Sequence, residues 1–200
     1  TTGDTNIAVG GLALTANTTG GANVAIGYNS LGANTTGNFN TSVGYAALDA
    51  NTTGGSNTAV GYAALTESTD GEENVAVGRS ALGANTTANE NTAVGYNAAA
   101  ANTTGAANTV MGHNSFDANT TGGSNVAIGA QSLTSNTTAS SNVAIGAFCL
   151  RDNSTGASNT GVGKGALQHS TTSSNNTAVG TNALNLNTTG TRNIAIGYAA

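Results

Sequence analysis

Few side chains in this chain could do acid–base, nucleophilic or metal chemistry: two histidines, one cysteine, nine acids and four bases among 200 residues. The only dense group is acidic, with Glu67, Asp70, Glu72 and Glu73 close together and Glu90 following. Carboxylate oxygens suit Ca²⁺, but no glycine-punctuated calcium loop recurs along the chain, so this stretch reads as a solvated turn. Cys149 is alone, which excludes an intrachain disulfide; without a basic neighbour to lower its pKa it is expected to be an inert buried thiol. The many glycines contain no G-x-x-x-x-G-K-[ST] phosphate loop. The recurring Asn-Thr-Thr stretch (Asn-Ser-Thr at Asn153) carries nine Asn-x-Thr/Ser sequons, at Asn17, Asn34, Asn51, Asn85, Asn102, Asn119, Asn136, Asn153 and Asn187, each a candidate glycan acceptor.

What must position these residues is a repeat of 17 residues that runs without insertion. Its units start at Asn6, Asn23, Asn40, Asn57, Asn74, Asn91, Asn108, Asn125, Asn142, Asn159, Asn176 and Asn193, and a glycine follows four residues after each of them. The most frequent unit is N-T-A-V-G-Y-x-A-L-x-A-N-T-T-G-x-x, and residues are referred to below by their position in it. Residues 1–200 form one continuous array, and because the chain lacks an initiator Met and starts and stops within a unit, it is expected to be a segment of a longer fibre. The period also disposes of a shared metal at the histidines. His113 and His169 fall at positions 6 and 11 of units three apart, roughly 15 Å along a stacked rod.

The unit predicts a strand and turns. Position 4 is always a medium-sized apolar residue, position 2 is β-branched and position 3 is nearly always Ala, so alternation puts positions 2 and 4 on one side and positions 3 and 5 on the other. A helix is excluded by the recurring Gly, Asn and Thr pair. Asn-Thr-Thr-Gly supplies a corner, because Asn caps its own backbone and Gly turns freely. The expected fold is all-β: a parallel β-solenoid of 17-residue coils, with identical positions stacked about 4.8 Å apart into a rod on the order of 55 Å long. The twelve unit-starting asparagines would form a structural ladder. The apolar core, one Val or Ile and one Leu per coil, is thin. The small Ala/Gly side at positions 3 and 5 is expected to let several neighbouring chains approach closely around one axis, with Tyr28, Tyr45, Tyr62, Tyr96 and Tyr198 at position 6 over the seam or along the surface.

The run Asn125-Val126-Ala127-Ile128-Gly129-Ala130-Gln131-Ser132-Leu133 resembles the S-V-A-I-G-x-x-A motif of the YadA-like head repeats of trimeric autotransporter adhesins. The fuller unit, N-T-A-V-G-Y-x-A-L-x-x-N-T-T-G, is similar to tandem repeats of long bacterial surface proteins and phage tail-fibre proteins. The resemblance covers the whole chain, although these coils are longer than the YadA-type ones and carry Asn-Thr-Thr-Gly in the extra turn. It implies a left-handed parallel β-roll assembled as an intertwined homotrimer, forming the exposed head or shaft of a fibre that meets a cell surface or matrix.

Composition bounds the function. Only 6% of residues are charged and the net charge is -5, which offers no footprint for nucleic acid or an anionic membrane. No apolar run is long enough to cross a bilayer. The chain is therefore expected to be a structural and adhesive fibre segment, extracellular, on a cell surface or on a virion, that partners itself and a cell-surface or glycan receptor, with no enzymatic activity, cofactor or metal. Two alternatives follow from the columns. One is a filament decorated with glycans at the Asn-Thr-Thr turns, set against which are the close spacing of the rungs and the replacement of Asn by Ser68 and Ser170 in two units, both of which favour a structural column. The other is an ice- or crystal-binding face whose two ranks are the Asn column at position 12 and the Thr column at position 14.

Overall fold

The computed structural model describes residues 2–200; Thr1, the first residue of the expected array, lies outside the described residues. Positions 2–4 of each unit form a three-residue strand, from β1 (Ile7–Val9) and β2 (Val24–Ile26) to β12 (Ile194–Ile196). All twelve lie side by side in sequence order in one parallel sheet. The register has no slip: Ile7 faces Val24, Thr58 faces Val75 and Thr177 faces Ile194. Parallel neighbours need a crossover of a dozen or more residues, and the 17-residue period leaves room for one such turn-rich loop between strands. The result is one coil per unit, a parallel β-solenoid.

The backbone ladders continue round the coil beyond the sheet. Position 9 donates its N–H to the carbonyl of position 8 in the next coil, as Leu48 does to Ala64 (3.0 Å), and position 13 donates to position 13, as Thr35 does to Thr52 (2.9 Å). Three positions per coil, 7, 9 and 17, adopt a left-handed conformation with side chains that rarely do so, for example Ala46 (φ 51°), Leu48 (φ 49°) and Ser56 (φ 59°). Each such residue costs free energy that only the surrounding stack can offset. Position 5 goes further, with φ between 128° and 142°, and all twelve units carry Gly there.

The side of the strand that faces inward is the reverse of the expectation. The small residue at position 3 is fully buried in Ala25, Ala59, Ala76, Ala93, Ala127 and Ala144, where it packs with positions 8 and 9 into the core. Position 4 points outward, with Ile26, Met111 and Ile145 exposed and Val43, Val60 and Val77 half-buried. The small side of the strand is therefore the lumen of the coil and not a contact face between chains. The lumen must also hold the position 9 leucine and two asparagine side chains, which favours small residues at position 3, where the buried Val110 is the one residue larger than serine.

Departures from the unit are matched locally. Phe116 at position 9 stands one coil above Ala99, also at position 9, so the large ring lies over the small side chain; both are buried. Ser30 and Ser42 bond to each other across adjacent coils (2.7 Å), and Ser42 Oγ donates to Ala47 O (2.8 Å). Cys149 Sγ lies 2.5 Å from where a Gly161 Cβ would stand, so the thiol occupies the space that the glycine vacates.

Candidate functional site

Two kinds of column could carry function: the buried amide ladders and the side chains turned outward. The ladder begins at position 1. In the eleven complete units the Asn Nδ2 donates to the carbonyl of position 15, as Asn108 does to Gly122 (3.0 Å), which ties the start of the coil to its end. Its Oδ1 accepts the backbone N–H of the next unit's Asn, as Asn108 does from Asn125 (2.9 Å), which ties coil to coil. The same bond recurs between Asn6 and Asn23, Asn23 and Asn40, Asn40 and Asn57, and Asn57 and Asn74. It continues through Asn91, Asn142, Asn159 and Asn176 to Asn193.

A second ladder runs at position 12. Asn34 Nδ2 donates to Gly37 O (3.1 Å) and to Asn17 Oδ1 in the previous coil (3.0 Å). Asn51, Asn102, Asn119, Asn136 and Asn153 repeat both bonds. Asn85 and Asn187 keep the bond to position 15. Both columns thus converge on one carbonyl per coil: Gly37 O accepts from Asn23 and from Asn34. Such a carbonyl, with two lone pairs and two amide donors, is fully satisfied without water.

This geometry bears directly on the sequons. Asn34, Asn51, Asn85, Asn102, Asn119, Asn136 and Asn153 are fully buried and Asn17 nearly so, while Asn187 is half-buried. The nitrogen that would carry a sugar is the one spent on the turn, so a glycan there would require the coil to open. The position 12 amides also cannot form a surface rank with position 14, which removes that pair as an ice-binding array. The threonines behave differently. Position 13 hydroxyls donate to the carbonyl of position 13 one coil on, as Thr103 does to Thr120 (2.8 Å), whereas the position 14 threonines, such as Thr36, Thr53 and Thr121, are exposed. Both project from a bend and not from a strand, so the alternation that separates neighbours on a strand does not apply to them.

The outward face of the sheet carries larger side chains than its inner face. Positions 2 and 4 present Val, Ile and Thr, and position 6 adds a planar column beside them. Tyr28 stacks on Tyr45 (5.5 Å between centroids) and Tyr45 on Tyr62 (5.3 Å). The guanidinium of Arg79 lies between Tyr62 (5.5 Å) and Tyr96 (5.8 Å), and Tyr96 stacks on His113 (5.3 Å). Tyr28, Tyr45 and Tyr62 therefore lie along the surface against one another, about half exposed, whereas Tyr198 in the last unit is 81% exposed. Sequence reading found the tyrosines but not Arg79 and His113 as members of the same column; their shared position 6 was the available signal.

The remaining titratable groups are separated. Glu67, Asp70, Glu72, Glu73 and Glu90 are all exposed, and no group of three or more metal-ligating side chains forms among the described residues. His169 Nδ1 lies 2.7 Å from Asp152 Oδ2, and Arg151 binds the same carboxylate at 2.8 Å and 3.1 Å. The Arg151 guanidinium holds the Asp152 carboxyl below the usual carboxylate range, with His169 adding to the effect. Burial, with a smaller contribution from Glu67, pushes Asp49 up. The Cys149 thiol is buried and pushed up to about 12 by desolvation. Alkylation with iodoacetamide at pH 8 is accordingly expected to leave the folded protein unmodified while labelling the denatured chain fully; rapid labelling of the folded protein would contradict the burial.

No helix of the described residues is long and apolar enough to cross a membrane. Compared with known proteins, the chain matches no family model, no curated protein and no solved structure.

Proposed function

We propose that the chain is a stiff structural segment of an extracellular fibre, and that its rods assemble as a homotrimer through the outward face formed by positions 2, 4 and 6. The observation that carries this reading is the inverted strand: the lumen takes alanine, and the larger Val, Ile, Met and Tyr side chains stand outside. Twelve rungs by three columns make a flat face on the order of 55 Å by 14 Å. That is roughly 750 Å² per partner, close to the ~800 Å² of a standard stable interface. Few charges interrupt it, and the identical spacing of rungs lets a second copy interdigitate at every coil. The resemblance to YadA-like head repeats and to tail-fibre repeats supports the same assembly, a left-handed roll in a trimeric fibre. It also supports an adhesive role at a cell surface, with turn positions 14, 16 and 17 presented outward.

The test is the mass of the rod in solution. Sedimentation equilibrium of the intact chain is expected to give three times the 19.2 kDa protomer mass, and the paired variant Val60→Glu/Val77→Glu, with charges on two adjacent outward rungs, is expected to give the protomer mass with its β circular dichroism retained. A wild-type chain that stays monomeric at all concentrations would refute the assembly while leaving the solenoid intact.

A further inference from the structure

Units that start at Asn57 and Asn159 carry serine at position 12, Ser68 and Ser170, and both sit fully buried in the amide ladder. A serine is too short to deliver the amide nitrogen that its neighbours deliver. The consequence shows one coil below each: Asn51 Oδ1 and Asn153 Oδ1 are buried acceptors without a hydrogen-bond partner. The two rungs then differ. Ser170 Oγ bonds to the hydroxyl of Ser173, whereas position 15 of the other unit is Gly71 and Ser68 Oγ is itself buried and without a partner. Gly71 O also keeps only the position 1 donor, Asn57 Nδ2 (2.7 Å), where Gly37 O and Gly54 O each receive two amides.

From this constellation we infer that the Ser68 rung is a built binding site for one internal water, which stands where the asparagine amide nitrogen stands in the other coils. Its two hydrogens go to Asn51 Oδ1 and Gly71 O, the same two acceptors that the amide serves, and its oxygen accepts the hydroxyl hydrogen of Ser68. Three polar partners are the usual complement of a buried water. The size also fits: replacing a carboxamide by a hydroxyl removes a volume on the order of the ~30 Å³ that a water molecule occupies in the liquid. A metal cation is a poorer occupant. Asn85 Nδ2, a donor, lies on the same side as Ser68 Oγ, the two being 3.1 Å and 2.9 Å from the point where a Gly71 Cβ would stand, and the carboxylates of Glu67 and Asp70 are exposed. The Ser170 rung has spent its hydroxyl on Ser173 and offers one partner fewer.

Two measurements test the site in the intact chain. A crystal structure at a resolution that shows ordered water is expected to place one within hydrogen-bond reach of Asn51 Oδ1, Gly71 O and Ser68 Oγ in the wild type, and to show the introduced carboxamide nitrogen in its place in Ser68→Asn. The second is a pair of melting curves. Ser68→Asn is expected to raise the melting temperature by a few degrees by repairing the ladder, and Ser68→Ala to lower it by a similar amount, because the water loses the donor that holds it. A rung without ordered water, a Ser68 hydroxyl turned to bond Asn51 directly, or a Ser68→Ala variant as stable as the wild type would each overturn the inference. None of these outcomes depends on how the rods assemble.

Discussion

Replacing Gly95 by valine is expected to destabilise the rod by about 4 kcal/mol or more, the range reserved for substitutions that break a special backbone geometry or overlap fixed atoms. Both causes apply. Gly95 has φ 139°, a conformation that costs a side-chain-bearing residue on the order of 1–3 kcal/mol. A Cβ there would stand 2.8 Å from the carbonyl carbon of Gly112 and closer still to its oxygen, both backbone atoms of the next coil. Position 15 provides the internal comparison. A rigid Cβ on Gly105 would overlap the backbone oxygen of Gly122 and crowd Asn102 Oδ1 (2.5 Å) and Asn119 Nδ2 (3.0 Å), yet the same position holds Ala88 and Ala139 in other coils, so the stack does admit a methyl group there, and none of the position 15 glycines has a positive φ. Gly105→Ala should therefore cost less than about 1.5 kcal/mol. Glu72→Ala, at an exposed turn, should stay within about 0.5 kcal/mol of the wild type. Urea unfolding of the three variants ranks them, and a Gly95→Val rod as stable as Gly105→Ala would refute the role assigned to the backbone at position 5. Because a solenoid coil contacts only its neighbours, hydrogen exchange should show the lost protection centred on the coils of Gly95 and Gly112.

Much of this architecture was legible before any coordinates. The invariant spacing of Asn and Gly specifies one coil per unit, and alternation over positions 2–5 locates the strand, which ends one residue earlier, at position 4. What alternation cannot say is which side faces in. The rule that large apolar groups go inward points Val43 and Val60 to the core, but the lumen is a narrow slot already shared by Leu48, Leu65 and two asparagine columns. The near-constant smallness of position 3, which extends to Ser42 and Gly161, was the signal for that slot. The left-handed conformation of Leu48 and its equivalents left no trace in the sequence, because leucine is chosen there for the core it fills and the stack absorbs the backbone cost. The candidate sites follow the same division. Asn17, Asn34 and the other sequon asparagines match a glycosylation motif, and only the folded coil shows that their amides are buried or half-buried and donate to the carbonyl of the turn. Serine at positions 68 and 170 looks like an equivalent cap, and only the unpartnered oxygens of Asn51 and Asn153 show that it is not.

Asn108→Ala should be nearly as damaging as the change at Gly95, at about 3–5 kcal/mol, and for a reason that separates hydrogen bonding from packing. The side chain donates to Gly122 O (3.0 Å) and Asn91 Oδ1 (3.1 Å), and it accepts from the backbone N–H (2.9 Å) and Nδ2 (3.1 Å) of Asn125. Two of these partners have substitutes: Gly122 O still receives Asn119 Nδ2, and Asn91 Oδ1 still receives the Asn108 backbone N–H. The backbone N–H of Asn125 has none, and an orphaned buried donor costs about 1–3 kcal/mol before the lost carboxamide contacts are added. Asn108→Asp keeps the shape and the acceptor but cannot donate to Gly122. It also buries a charge, and burial raises the carboxyl's folded-state pKa above its unfolded value. A raised pKa means that the folded state binds the proton more tightly, so the variant should be most stable below the unfolded pKa and lose stability as pH rises through the folded pKa. The wild-type rung, with a neutral amide, should show no such titration at this site. Comparing melting temperatures of the two proteins at pH 4 and pH 7 isolates the effect. A deficit for Asn108→Asp that is larger at pH 7 than at pH 4 is the expected result, and an equal deficit at both would mean that the ladder contributes shape alone.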